Sequence, residues 1–260
     1  MDTTLEKDLP PQPQMEQHHN AGFGETARSF VSYLKSPQHL APSHIPAAKI
    51  WQPFLQLALL NISICLAVAG LFFGIFELLG YKEPTGSNKI EQLFKSLPAI
   101  VSFLVLTVAA PLAEEFMFRY PLRFTKGRAF LLFMVLSLVC LPPLLQKLGI
   151  SSLISICIVL VAMAMTISFA LSQKWQQKAH KFWIKRFTVV FYGVASLFAI
   201  VHLLNYNSLH VPALLAPLLV LPQFIGGLFW GYFRMRYNIW WSILGHGLYN
   251  ALFYALALLT

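Results

Sequence analysis

Along most of this chain the apolar positions neither alternate nor recur at intervals; they run on. Stretches near 53–80, 97–118, 129–146, 149–172, 187–205, 210–233 and 239–259 are apolar almost throughout. At about 1.5 Å of rise per helical residue, each can cross a hydrocarbon layer roughly 30 Å thick. Lipid offers no partner to backbone N–H and C=O groups, so these stretches are predicted as helices, and none shows the alternation of a membrane barrel strand. Between Phe187 and Phe233 there is no Asp, Glu, Lys or Arg. That run is too long for one helix, and Asn205-Tyr206-Asn207-Ser208 is the turn that divides it. The pattern predicts an all-α, polytopic transmembrane bundle of about seven spans. Pro142–Pro143, Pro212, Pro217 and Pro222 mark places where a helix would break or re-enter.

Residues 1–48 are polar and proline-bearing, and are predicted as a flexible tail with a short surface helix near Phe30 to Leu34; the membrane domain is 49–260. Between the first two spans, Ile90, Leu93, Phe94 and Leu97 recur at helical spacing beside Lys89, Glu91 and Lys95, which predicts an interfacial helix.

Composition sharpens this picture. Of 260 residues, 57% are hydrophobic and 11% charged, against about 25% charged in soluble domains. A net charge of +9 would suggest nucleic acid in a soluble chain. Here the basic residues lie between spans: Arg123, Lys126 and Arg128, then Lys174, Lys178, Lys181, Lys185 and Arg186, then Arg234 and Arg236. They read as orientation signals and contacts to anionic lipid, with the N-terminus inside and no nucleic-acid partner. Cys65, Cys140 and Cys157 sit in apolar runs without metal-ligand spacing and read as small buried hydrophobes. His18–His19 reads as solvated tail, and no cleaved leader is expected. A multi-pass protein of a prokaryotic inner membrane is the expected setting.

The polar residues inside the spans carry the chemistry. After Glu91 the only acids are Glu114 and Glu115. A carboxylate at mid-membrane costs about 2.5–3.5 kcal/mol, so such groups pair or act. Glu115 and Arg119 are four apart and share a helix face, which predicts a pair. Glu114 is turned about 100° away and has no basic residue at that spacing, which leaves it available as a general base. His202 closes the fifth span. His246 and Asn250 share a face of the last, where Gly245 and Gly247 flank the histidine. Gly227 and Gly231 in the preceding span would let helices approach closely. His210, beside a loop, reads as interfacial. One difficulty is depth. Glu114 and His246 fall in the inner half of their spans, while His202 falls about 22 Å from the inner side at 1.5 Å per residue. A shared site requires that span to be shifted, tilted or broken.

Glu114-Glu115-x-x-x-Arg119, Phe198-x-x-x-His202 and His246-x-x-x-Asn250, in order across three spans, resemble the CPBP family of intramembrane proteases, also called Abi or type II CAAX prenyl endopeptidase-like proteins. The resemblance covers about 97–255 and includes the glycine-rich Phe224-Ile225-Gly226-Gly227-Leu228-Phe229-Trp230-Gly231; it departs at Tyr120, where many members have glycine. It implies an intramembrane metalloendopeptidase in which Glu114 activates water and His202, His246 and Asn250 complete the site. Glu115, Arg119 and Phe198 would support it. Glu114, His202 and His246 would be the ligands of a divalent metal, zinc being the expected ion; a metal-free glutamate mechanism stays open beside it. The substrate would be a membrane protein or peptide, prenylated at a C-terminal cysteine in some members. Three alternatives stand beside the protease. One is a non-catalytic scaffold or bacteriocin self-immunity protein of the same family. Another is a proton- or ion-coupled transporter, against which the lack of an internal repeat counts. The third is a haem protein with His202 and His246 as axial ligands.

Overall fold

The computed structural model describes residues 22–40, 45–85, 88, 92 and 94–258. Ile90, Leu93, Lys89 and Glu91 of the expected interfacial helix, and His18–His19, lie outside the described residues. Long apolar runs give helices here because each closes its own backbone hydrogen bonds. We number them α1 Phe23–Lys35, α2 Trp51–Leu78, α3 Ala99–Leu122, α4 Lys126–Lys147, α5 Ser152–Leu171, α6 Gln173–Lys185, α7 Phe187–His202, α8 Leu221–Arg236 and α9 Ile239–Ala257. Six of these (α2, α3, α4, α5, α7 and α8, the last two with their 3₁₀ extensions) are long and apolar enough to cross a membrane. The seventh expected span is α9, 19 residues long, which carries His246 and Asn250 at its middle and is less apolar for that reason.

Three differences from the pattern have physical causes. First, Phe23–Lys35 is not part of a flexible tail. It forms an amphipathic helix, with Phe30 and Tyr33 buried against Phe229, Tyr232 and Phe191. Second, Pro142–Pro143 does not break α4. The helix widens instead into a π turn at Leu136–Cys140. A second π turn, Val105–Ala109, lies in α3 ahead of Pro111. A proline ring collides with the carbonyl four residues before it and brings no N–H, and a wider turn relieves that collision. Third, the sixth span begins at Ala216, with a 3₁₀ turn bearing Pro217 and then Pro222 in the first turn of α8. Residues 206–215 are not helical. Thr85 and Asn88 bridge to Leu209 and Tyr206, and His210 bonds the carbonyls of Pro84 and Glu83, which keeps that loop at the surface.

Helix α8 is the hub of the bundle. Phe229, Trp230, Tyr232, Phe233 and Met235 on it are all buried, against α1, α2, α7 and α9. Its neighbour α9 lies close to α3. A Cβ on Gly247 would come within 2.5 Å of the Thr107 carbonyl oxygen, and one on Gly227 of α8 within 3.1 Å of the Arg119 side chain. Only glycine permits the first approach, which is to backbone; at Gly227 a Cβ would require the Arg119 side chain to give by a few tenths of an ångström.

Candidate active site

α3 supplies two adjacent carboxylates with opposite surroundings. Glu115 is fully buried (0% exposed) and its Oε1 lies 3.3 Å from Nη1 of Arg119, one turn on. The Arg119 guanidinium in turn lies 3.8 Å from the centroid of the Phe198 ring and 5.3 Å from that of Trp230. A buried charge needs such partners, since water is not there to solvate it. Glu114 is 29% exposed. Its Oε2 makes no hydrogen bond among the described residues, yet it lies 3.9 Å from Nε2 of His202 and 3.7 Å from Nε2 of His246.

The two imidazoles are fixed from behind. His202 Nδ1 lies 2.7 Å from the Phe198 carbonyl oxygen, which can only accept, so Nδ1 carries the proton. His246 Nδ1 lies 3.0 Å from Oε1 of Glu115, which Arg119 holds as an anion, so Nδ1 donates there as well. With both rings in the neutral form, the Nε2 lone pairs face Glu114. Three acceptor atoms converge on one spot with no donor among them: an arrangement that calls for a water, a proton or a cation. His246 is 3% exposed and stacks on Trp230 at 3.8 Å and 12°, and the His202 ring lies 4.4 Å from that of Phe198.

The difficulty of depth resolves through an axial offset. Phe118 packs on Phe198, and Glu114, one turn before Phe118, faces His202, one turn after Phe198, so α3 and α7 are antiparallel. In that register Leu122 is level with Val194. Phe187 therefore starts about 10 Å past the end of α3, at 1.5 Å per residue. Neither helix breaks; α7 is shifted along its own axis, and the Trp183 indole N–H before it reaches back to the Leu122 carbonyl at 3.2 Å.

Asn250 stands one turn beyond His246, and its Nδ2 donates to the Leu106 carbonyl at 2.9 Å. In a π turn that carbonyl would bond to the N–H five residues on, but that residue is Pro111. Asn250 supplies the missing donor and ties α9 to α3. Two members of the site were not singled out from the sequence. Ser242 donates to Oε2 of Glu115 and lies 2.8 Å from the Trp230 carbonyl, and Trp230 is the ring beneath His246. The signal for Ser242 was its spacing: it stands four residues before His246, on the same face.

The three acceptor atoms are of the types that hold zinc with an open position. Their separations of 3.7 and 3.9 Å exceed the roughly 3.3–3.4 Å between ligands of a tetrahedral ion at about 2.0–2.1 Å. No ready cage of three His, Cys, Asp or Glu occurs among the described residues. The donor set fits a divalent ion, provided the side chains close by a few tenths of an ångström.

The chain is thus a bundle of helices able to cross a membrane that sets a buried, paired carboxylate beside one that faces two imidazoles. Residues 96–252, more than half of the chain, match the family described as type II CAAX prenyl endopeptidase Rce1-like, and the chain belongs to that family of membrane proteases. No curated protein and no solved structure matches the chain.

Proposed function

We propose that this protein is an intramembrane endopeptidase of the CAAX-protease type, in which Glu114 activates a water against a peptide bond. The observation that carries this reading is the unpartnered Glu114 Oε2 facing two backed imidazoles. A water in that space donates one hydrogen to Glu114 and meets the Nε2 atoms with the other. As its oxygen attacks the carbonyl carbon, Glu114 takes the proton and later delivers it to the leaving amine. His246, with the Glu115 carboxylate behind it, is the ring best supported to take up a further proton from solvent as substrate binds; its Nε2 then changes from acceptor to donor and meets the developing oxyanion, while Nε2 of His202 keeps the attacking water. Asn250 acts by holding α9 against α3. A divalent ion held by Glu114, His202 and His246 would polarise the same water and the same carbonyl.

The substrate class this supports is a membrane-associated peptide, with a prenylated C-terminal cysteine as the first candidate. A non-catalytic scaffold or immunity role is the competing reading. The deciding experiment compares wild type with Glu114→Gln in liposomes on quenched peptides, farnesylated and not, with and without chelator. Cleavage by wild type and a loss of about a hundred- to ten-thousandfold in Glu114→Gln are expected. Equal cleavage by the two would overturn the mechanism. A loss of activity with chelator, restored by metal, would place the ion in it.

A further inference from the structure

At the end of the bundle where α3 closes, three guanidinium groups gather around one turn. Arg123 donates from Nη2 to the carbonyls of Met235 (3.1 Å) and Tyr237 (3.2 Å). Arg234 donates from Nε to Arg119 (3.2 Å) and from Nη2 to Tyr120 (3.3 Å), again to carbonyls. Arg128 donates from Nη1 to the Arg123 carbonyl at 3.0 Å. Its guanidinium and that of Arg234 lie 4.2 and 5.6 Å from the centroid of the Tyr120 ring. Arg123 is 8% exposed and Arg234 4%.

Among the described residues these cations have no anion in an ion pair with them. Among the described residues their partners are carbonyl oxygens and an aromatic ring, and no carboxylate pairs with any of the three. Glu115 is committed to Arg119, His246 and Ser242. Nε of Arg123 is buried with no hydrogen-bond partner among the described residues. Carbonyl dipoles satisfy N–H groups but do not cancel charge, and two buried guanidiniums beside a third form a concentration of positive charge that low-dielectric surroundings penalise. Burial first, and then the charge of Arg128, push the Arg123 guanidinium down to about 10. The planar fork of arginine matches the oxygens of a phosphate, and several forks on one turn can share one such group.

We propose that Arg123, Arg128 and Arg234 form a binding site for a phosphate group, carried by an anionic lipid at the membrane surface or free in solution. The site is distinct from Glu114 and its histidines and does not depend on the protease reading.

The test uses the full chain, delipidated in a neutral detergent, with thermal unfolding followed while phosphatidylglycerol, phosphatidylcholine or inorganic phosphate is added at fixed ionic strength. Phosphatidylglycerol is expected to raise Tm and phosphatidylcholine to leave it unchanged. Inorganic phosphate that reproduces the shift identifies the free ion as the ligand; phosphate without effect assigns the group to a lipid. Arg128→Gln should weaken the apparent affinity about fivefold, the worth of one arginine at an anionic surface. Arg128→Glu places an anion among the other two arginines, so it should raise Tm without lipid and abolish the lipid response. Lys178→Gln/Lys181→Gln, on exposed positions of α6, should respond like wild type. No response to either phosphate source, a wild-type response in both Arg128 variants, or an equal loss in the lysine pair would each overturn the proposal.

Discussion

His246 turns its Nε2 toward Glu114 because its other nitrogen, Nδ1, is held 3.0 Å from Oε1 of Glu115. Two adjacent carboxylates thereby take different tasks. One orients the ring and the other stands across from it, and the Arg119 charge beside Glu115 keeps those tasks from being exchanged.

Ser242 tests this division. Its hydroxyl joins Glu115 to the Trp230 carbonyl beneath His246. Ser242→Ala is expected to lower kcat about 10- to 100-fold with KM little changed, as for a lost supporting partner of an oriented histidine. The stability cost should be about 1–3 kcal/mol, for a buried carboxylate left short of one donor. Steady-state kinetics and thermal unfolding on the same preparation check both.

The close approach of α9 to α3 is tested at Gly247. A Cβ there meets the Thr107 carbonyl oxygen at 2.5 Å, and backbone cannot step aside as a side chain can. Gly247→Ala should destabilise by about 1–3 kcal/mol, the usual cost of overpacking, or more if the helices must separate. Gly193→Ala, in α7 with nothing within 4 Å of its Cβ, is the control and should be neutral or stabilising by about 1 kcal/mol.

Asn250 and Pro111 form a second test of the same interface. Asn250→Leu leaves the Leu106 carbonyl without its donor and should cost about 1–3 kcal/mol. Pro111→Ala restores an N–H five residues after Leu106, so the double variant should recover part of that loss. An additive pair of effects in a double-mutant cycle would show that the two residues do not act on one carbonyl.

His39, outside the spans, gives a pH dependence. Burial first, then Arg123 and His180, and more weakly Arg234, hold its pKa down at about 4, against an ordinary value of 6.5. The fold therefore keeps the ring neutral, while the unfolded chain takes up a proton below pH 6.5. By linkage the unfolded state binds more protons between the two values, so stability should fall as pH drops from about 6.5 to about 4 and level off below. The full effect is about 3.5 kcal/mol at most, at about 1.4 kcal/mol per pH unit from 6.5 down to about 4. His39→Phe in detergent without anionic lipid should flatten that part of the stability profile.

The spans were legible because lipid leaves long apolar runs no other choice, and helix limits agree to within a few residues for α2, α4, α5 and α7. The pairing of Glu115 with Arg119 was legible from a spacing of four, and the structure brings Glu114, His202 and His246 together. What the chain hid depends on relations between helices. The axial shift of α7 has no signature in its own residues, so His202 looked too deep. Ser242 looked like any small residue of an apolar helix until Glu115 was placed beside it. Phe30 and Tyr33 gave only a short surface helix within a polar tail, because the aromatic groove that covers them lies about two hundred residues further on, in α8.

The widened turn at Val105–Ala109 has a consequence for reading this helix at all. One surplus residue in a turn advances everything after it by about 100° on a regular helical wheel. A wheel drawn from Ala99, whose carbonyl accepts from the Tyr254 hydroxyl, would thus place Glu114 a quarter-turn or more from where it stands. The two ends of α3 keep separate phases: one is set by Tyr254, the other by His202 and His246. Cysteine scans, designed insertions and alignments across this helix must carry a one-residue slip at that turn, or they will credit the chemistry to the wrong face.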